Sequence, residues 1–166
     1  MKHVTIYTDG SSYIGFGGAA AILIGRTRTK EVAHGFSSAV PLPREPVTNQ
    51  RMELAAAVLG LGTLKEPAGV NLISDSAYLV NAFKEGWIEN WRQNGWKNAA
   101  NKDVKNRDLW VSLHVQTDIH EVTFTHVLGH RGDKYNERAD ELARQARMDA
   151  MSRSAMAKVL RRGPRR

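Results

Sequence analysis

The chain opens on Val4-Thr5-Ile6-Tyr7-Thr8, where Val4, Ile6 and Thr8 alternate with Thr5 and Tyr7, the period-two pattern of a strand covered on both faces. The pattern predicts a central strand ending in Asp9, with Gly10-Ser11-Ser12 turning the chain directly after the acid. Residues 19–24 form a second apolar strand and residues 31–37 a third, joined by the polar run Arg26-Thr27-Arg28-Thr29-Lys30. These three predict an antiparallel meander. Pro41, Pro43 and Pro46 hold the next connection extended, and Thr48 or Asn49 offers an N-cap to a helix over 50–64. That helix is apolar at Leu54, Ala57, Val58 and Leu61 and carries Glu53 in its first turn.

The second half repeats the opening device. Val70-Asn71-Leu72-Ile73-Ser74 is a short apolar strand delivering Asp75, and Ser76 caps a short helix through Lys84. Residues 108–117 read as a helix and 122–127 as a last strand. Asn136 caps a final helix apolar at Ala139, Leu142, Ala143 and Ala146, with Asp140 one turn inside it, where the core pattern asks for no acid. The order predicts an α/β fold: a mixed five-stranded sheet, three antiparallel strands then two parallel, flanked by helices.

At 166 residues the chain suits one domain with a real core, and the absence of cysteine excludes disulfides and thiolate metal sites. No apolar signal region precedes the first strand and no run of 18 apolar residues occurs, so a cytoplasmic, membrane-free protein is expected. The net charge of +7 is unevenly placed. No acid follows Asp149, while Arg153, Lys158, Arg161, Arg162, Arg165 and Arg166 are all basic, leaving 18 basic against 17 acidic residues elsewhere. This divides the chain into a body, 1–150, and a basic tail, 151–166, which points to a polyanionic partner. A solvated tail that aids solubility has the same composition.

Asp9 and Asp75 end neighbouring strands of a βαβ arrangement, and Glu53 and Asp140 can reach the same edge from helix beginnings. A single strand-end Asp often only caps a turn, and a helix-start Glu often only complements the dipole. Four clustered carboxylates repel one another and persist most readily around a hard divalent cation. All-oxygen ligands favour Mg²⁺, with Mn²⁺ a close substitute, and two such ions can activate water against a phosphodiester. Gly15-Phe16-Gly17-Gly18 lacks the spacing of a nucleotide loop and enters a strand, so its role is structural or one of close approach. The stretch 86–97 interleaves Trp87, Trp91 and Trp96 with Asn90, Arg92 and Lys97, which suits a surface lying along a nucleic-acid backbone. The alternative is that the indoles wedge a protruding helix pair onto the domain.

The motifs Thr8-Asp9-Gly10-Ser11, Thr48-Asn49-Gln50-Arg51-Met52-Glu53-Leu54, Ser74-Asp75-Ser76-Ala77-Tyr78, Trp87-Ile88-Glu89-Asn90-Trp91, Val104-Lys105-Asn106-Arg107-Asp108-Leu109-Trp110 and Gly129-His130 through Asn136-Glu137-Arg138-Ala139-Asp140 occur in order over residues 3–148. Together they closely resemble the bacterial type 1 ribonuclease H family. The resemblance implies a ribonuclease H-like fold and an endonuclease that hydrolyses the RNA strand of RNA/DNA hybrids, leaving 5′-phosphate and 3′-hydroxyl ends. It implies metal-binding roles for Asp9, Glu53, Asp75 and Asp140, and a proton-transfer or product-release role for His130. By the same resemblance Ser12, Asn49 and Gln50 contact the hybrid's minor groove, Thr48, Asn49 and Asn90 lie near a DNA-phosphate pocket, and Trp87 and Trp91 lie near the DNA-facing groove. The tryptophan segment, with Arg92, Trp96 and Lys97, resembles the family's basic handle. A monomer is expected. A nuclease of the same fold acting on DNA, resolvase- or integrase-like, and a non-catalytic hybrid-binding module are the alternatives. The chain departs from the family pattern in its shorter glycine loop at 13–18, in Ala77, and in its arginine-rich tail.

Overall fold

The computed structural model describes residues 2–25, 27–37, 46–128 and 132–162, with backbone alone at 31–37 and 162. Strands β1 (Lys2–Tyr13), β2 (Phe16–Gly25) and β3 (Thr29–Ser37) form the antiparallel meander, and β4 (Ala68–Ser74) and β5 (Glu121–His126) add in parallel to β1 and β4. The sheet order is β3-β2-β1-β4-β5, so β1 is central as the alternation predicts. Among the described residues five helices complete the fold: α1 (Asn49–Gly62), α2 (Ala77–Lys84), α3 (Trp87–Gln93), α4 (Arg107–Ile119) and α5 (Lys134–Arg162). Among the described residues no helix is long and apolar enough to cross a membrane.

The two faces of β1 meet different helices. Tyr7 packs on Tyr135 of α5 with ring centroids 5.5 Å apart, and Arg147 of α5 lies 5.6 Å over the Tyr13 ring. By strand alternation Asp9, between them, stands on the α5 side. Ile6 and Gly10 face α1, where Ile6 joins Leu54, Leu61, Leu72 and Leu79 in the main buried cluster. On the other face Ala139, Ala143, Ala146 and Ala150 are buried, and this small-residue stripe lets α5 lie close against β2.

The remaining helices are joined by aromatic side chains. Trp110 of α4 is fully buried, its indole nitrogen donates to the Tyr78 hydroxyl at 3.2 Å, and Trp91 approaches it at 5.4 Å. Phe83 of α2 stacks on Phe124 of β5 at 3.9 Å. Each such ring buried contributes about 2 kcal/mol through its area.

Four local expectations are corrected. β1 does not turn after Asp9: it continues paired with β2 to Tyr13, and the turn falls at Ile14 and Gly15, both with positive φ. Helix α1, capped by the Thr48 hydroxyl accepting the Arg51 amide at 3.2 Å, places Glu53 in its second turn. Asp133, rather than Asn136, receives the first free amides of α5, from Tyr135 at 2.9 Å and Asn136 at 3.3 Å. Asn136 is instead buried within the helix, which sets Asp140 more than one turn inside. After α3 there is no second helix before α4; residues 94–106 form a loop pinned by a bridge between Lys97 and Asp103.

Candidate active site

The site forms where β4 stops. The last parallel pair of β1 and β4 is Thr8 with Ser74, so Asp9 and Asp75 emerge side by side just beyond it. Glu53 joins them from α1, because that helix lies directly on Gly10: a Cβ there would come within 2.3 Å of the Glu53 amide nitrogen. Glycine at this position is required by close approach and not by a turn. Gly18 does the same for α5, since a Cβ would come within 2.6 Å of the Arg147 nitrogen. One oxygen from each of Asp9, Glu53 and Asp75 lies within 4.8 Å of the others.

These three carboxylates and Asp140 line a cleft of about 380 Å³ together with Gly10, Ser11, Asn49, Gln50 and Ser76. Asp140 borders the cleft without joining the tight cluster, and its Oδ2 lies 4.0 Å from Nη2 of Arg144. Asp9 and Glu53 are only 4% and 5% exposed. The Gly10 amide donates to Asp9 Oδ1 at 2.8 Å, whereas Glu53 Oε2 is buried with no hydrogen-bond partner among the described residues.

Burial is the main reason that both acids are held well above the ordinary carboxylate range. The hydrogen bond between them opposes the rise at Asp9 and adds to it at Glu53, and repulsion from Asp75 raises both. Protein groups alone therefore leave excess negative charge and one unpaired buried oxygen, which is what an oxygen-ligated divalent cation supplies a partner for. The donor set, carboxylate oxygens without sulfur, fits such an ion.

The structure brings some of the remaining predicted residues together and separates others. Asn49 and Gln50, at the start of α1, share the carboxylate cleft. Ser12 pairs with Gly17 in the hairpin beside it, and its neighbour Ser11 lines the cleft in its place. Asn90, Trp91 and Lys97 line a second cleft of about 530 Å³ with Asn94, Asn98 and Asn101. Thr48, Trp87, Arg92 and Trp96 line neither. Trp87 packs on Tyr78 at 6.5 Å and Trp96 on His114 at 6.2 Å, so the wedge reading holds for part of the tryptophan segment. Arg92 is paired with Glu89 at 3.0 Å and Lys97 with Asp103 at 2.7 Å, exposed pairs weak enough to exchange for phosphates. His130 lies outside the described residues.

Two contributors went unnoticed in the sequence. His126, at the end of β5, donates from Nε2 to the Asp75 carbonyl at 3.1 Å and holds the backbone of that acid. Arg51, 2% exposed, donates to both oxygens of Asp108 at 2.8 and 2.5 Å and fastens the start of α1 to α4. His126 carried a readable signal, since it ends the strand that must lie beside the one delivering Asp75.

The RNase H family model matches residues 1–148. A ribonuclease H of Chlorobium luteolum is 50% identical over 148 residues, 88% of this chain and 96% of that protein, and one of Acetivibrio thermocellus is 48% identical over 145 residues, 86% and 93% of the two chains. Among solved structures, LC9-RNase H1, described as a type 1 RNase H with the type 2 active-site motif, superposes with TM-score 0.74 at 25% identity over 90% of this chain and 74% of that one. The PFV RNase H domain, at 24% identity, shares the fold with TM-score 0.65 over 89% of this chain and 96% of the other. Sequence likeness across nearly the full length of these relatives, together with the five-stranded sheet and the acids gathered at its edge, means that the chain belongs to the ribonuclease H family.

Proposed function

We infer that the chain is an endonuclease that hydrolyses the RNA strand of RNA/DNA hybrids, leaving 5′-phosphate and 3′-hydroxyl ends. The observation that carries the reading is the convergence of Asp9, Glu53 and Asp75 on one point, in a chain of this family, with a buried Glu53 oxygen lacking a protein partner among the described residues. Asp9, Glu53, Asp75 and Asp140 would hold divalent cations, Mg²⁺ with Mn²⁺ able to substitute. When bound, two such ions supply an activated water and offset charge on the leaving oxygen.

The chain's own residues orient the substrate around that point. Asn49 and Gln50 present amide groups at the positive end of α1, beside the acids, where they suit ribose hydroxyls and base edges of the minor groove. Ser12 extends that contact along the hairpin. Asn90, Trp91 and Lys97 form a cleft suited to a DNA-strand phosphate and sugar, with Thr48, Trp87, Arg92 and Trp96 contributing around it. His130, next to glycine in the sequence, takes the proton-transfer or product-release role. Residues 1–150 carry the chemistry and 151–166 only bind, in a monomeric cytoplasmic protein.

No feature of the site favours a DNA-cutting or a non-catalytic reading over this one. Labelled RNA/DNA hybrid, duplex DNA and duplex RNA, each incubated with Mg²⁺, test it directly. Cleavage confined to the RNA of the hybrid is expected; equal cutting of duplex DNA, or none of the three, overturns it.

A further inference from the structure

Helix α5 runs unbroken from Lys134 to Arg162, past residue 148 where the family likeness ends. Its last buried residue among those described is Ala150, so the final turns leave the core while remaining helical. Positions 140, 144, 147, 151 and 158 follow steps of four, three, four and seven, and therefore share one face of the helix. That face begins at Asp140 in the catalytic cleft and continues through Arg144, Arg147 and Lys158, with Arg161 beside it. No acid stands on it after Asp140: Glu141 is turned aside and paired with Arg138, and Asp149 lies on the opposite side.

Arg144, Lys158 and Arg161 are available to solvent. The Arg144 side chain is 55% exposed and only 4.0 Å from Asp140, while Lys158 and Arg161 are exposed. Arg147 lies half-buried over the Tyr13 ring at the hairpin tip, and so links the site to the outer part of the helix. A helix that carries Arg144 and Arg147 near a phosphodiester-cutting centre and Lys158 and Arg161 farther out, with the uncharged Met151 between the two pairs, is complementary to a phosphate backbone.

We propose that this face of α5, from Arg144 to Arg161, is a second phosphate-binding track that holds the hybrid beyond the catalytic cleft. The proposal rests on the hybrid-cleaving reading and deepens it by assigning a longer substrate footprint. At about 1.5 Å per residue the row spans roughly 26 Å, the reach of about seven or eight phosphates along one strand. A flexible tether would gain from phosphates in any direction. A helical track gains only when the hybrid is long enough to lie along it.

The test is binding without cleavage, with the full chain in EDTA and hybrids of about 12 and about 24 base pairs. Lys158→Ala/Arg161→Ala removes two exposed charges without touching the core. The variant is expected to bind the long hybrid roughly three- to tenfold more weakly at low salt and to lower the slope of log Kd against log salt by about 1 to 2. The short hybrid should bind both proteins alike. Equal affinity and equal slope for the long hybrid overturn the track. So does the reverse pattern, in which Met156→Ser/Leu160→Ser, altering the opposite exposed apolar edge, weakens binding and the charge variant does not. Because the readout is binding, it separates from the nuclease reading: a wild-type chain that fails to cut hybrid but shows the length-dependent difference keeps the track and loses the assigned activity.

Discussion

Gly10 and Glu53 are in backbone contact: a Cβ on Gly10 would lie 2.3 Å from the Glu53 amide nitrogen and 2.4 Å from the carbonyl carbon of Met52. This contact sets how near α1 comes to β1, and hence whether Glu53 can reach the acid beside Gly10. Neither backbone can yield as a flexible side chain would. Gly10→Ala is therefore expected to destabilise the fold by about 3 kcal/mol in urea denaturation. It should also lower kcat by about 10²-fold, because the carboxylate is displaced by up to an ångström. Wild-type turnover in a folded Gly10→Ala protein would show that α1 has freedom to shift.

Asp9→Asn and Asp75→Asn keep shape and lose charge. Both variants should fold and lose cleavage in Mg²⁺, and neither should gain the thermal stabilisation that Mg²⁺ is expected to give the parent. Without divalent ions, Asp9→Asn should melt higher than the parent at pH 8, because a carboxylate penalised first by burial and then by repulsion from Asp75 and Asp140 has been neutralised. Near-parental turnover by either variant would remove these acids from the site.

The pH dependence of metal-free stability follows from the same pair. Asp9 and Glu53 are both raised, chiefly by burial, so the folded state binds their protons more tightly than the unfolded chain does. Their contribution is fully present below the unfolded value of roughly 4 and is lost as pH rises through the folded values, across neutrality. Asp108 is shifted the other way, first by its hydrogen bond to Arg51, and its contribution is lost only as pH falls below the ordinary carboxylate range. The two effects occupy different windows. Melting temperature in EDTA should fall between pH 5 and pH 8, Mg²⁺ should restore it at pH 8, and Asp9→Asn should flatten the fall. A rise over that range in EDTA would contradict the arrangement.

The pair of Arg51 and Asp108 joins a side chain that is 2% exposed to one that is 41% exposed. Asp108→Ala leaves a buried guanidinium without its carboxylate, although Asn106 Oδ1 remains at 3.4 Å. A loss of about 2 kcal/mol is expected, below the figure for a fully buried pair because water reaches Asp108. Asp108→Asn, which keeps one acceptor, should lose less. Denaturant titration of the three proteins checks the order, and equal stability of Asp108→Ala and the parent would deny the pair its fastening role.

His130→Ala should slow turnover by roughly 10²-fold or less, the size of a lost proton-transfer aid. Stabilisation by Mg²⁺ should be unchanged. If that stabilisation disappears, His130 is a ligand; if the rate is unaffected, it is surface.

Much of this was legible along the chain because the signals are local. Period-two alternation ending in Asp9 and a short apolar run ending in Asp75 identified two strands and their acids, and parallel pairing of β1 with β4 puts two such ends at one edge. Thr48 or Asn49 before an apolar helix signals a cap locally, and Thr48 is the one that caps α1. An acid at 140 stood out because the apolar pattern of that helix calls for none there. Tertiary contacts decided the rest. Gly10 reads as a turn from its neighbours alone, yet its missing side chain answers to a helix some 40 residues later in the chain. Asp133 and Asn136 are both capping types, and the choice fell to Asp133 because packing buries Asn136 inside α5. The tryptophans of 87–96 look alike in sequence, but only the placement of Tyr78, Trp110 and His114 determines which indole faces are covered. The raised protonation of Asp9 and Glu53 likewise exists only after folding, since desolvation and repulsion depend on distances that no spacing along the chain contains.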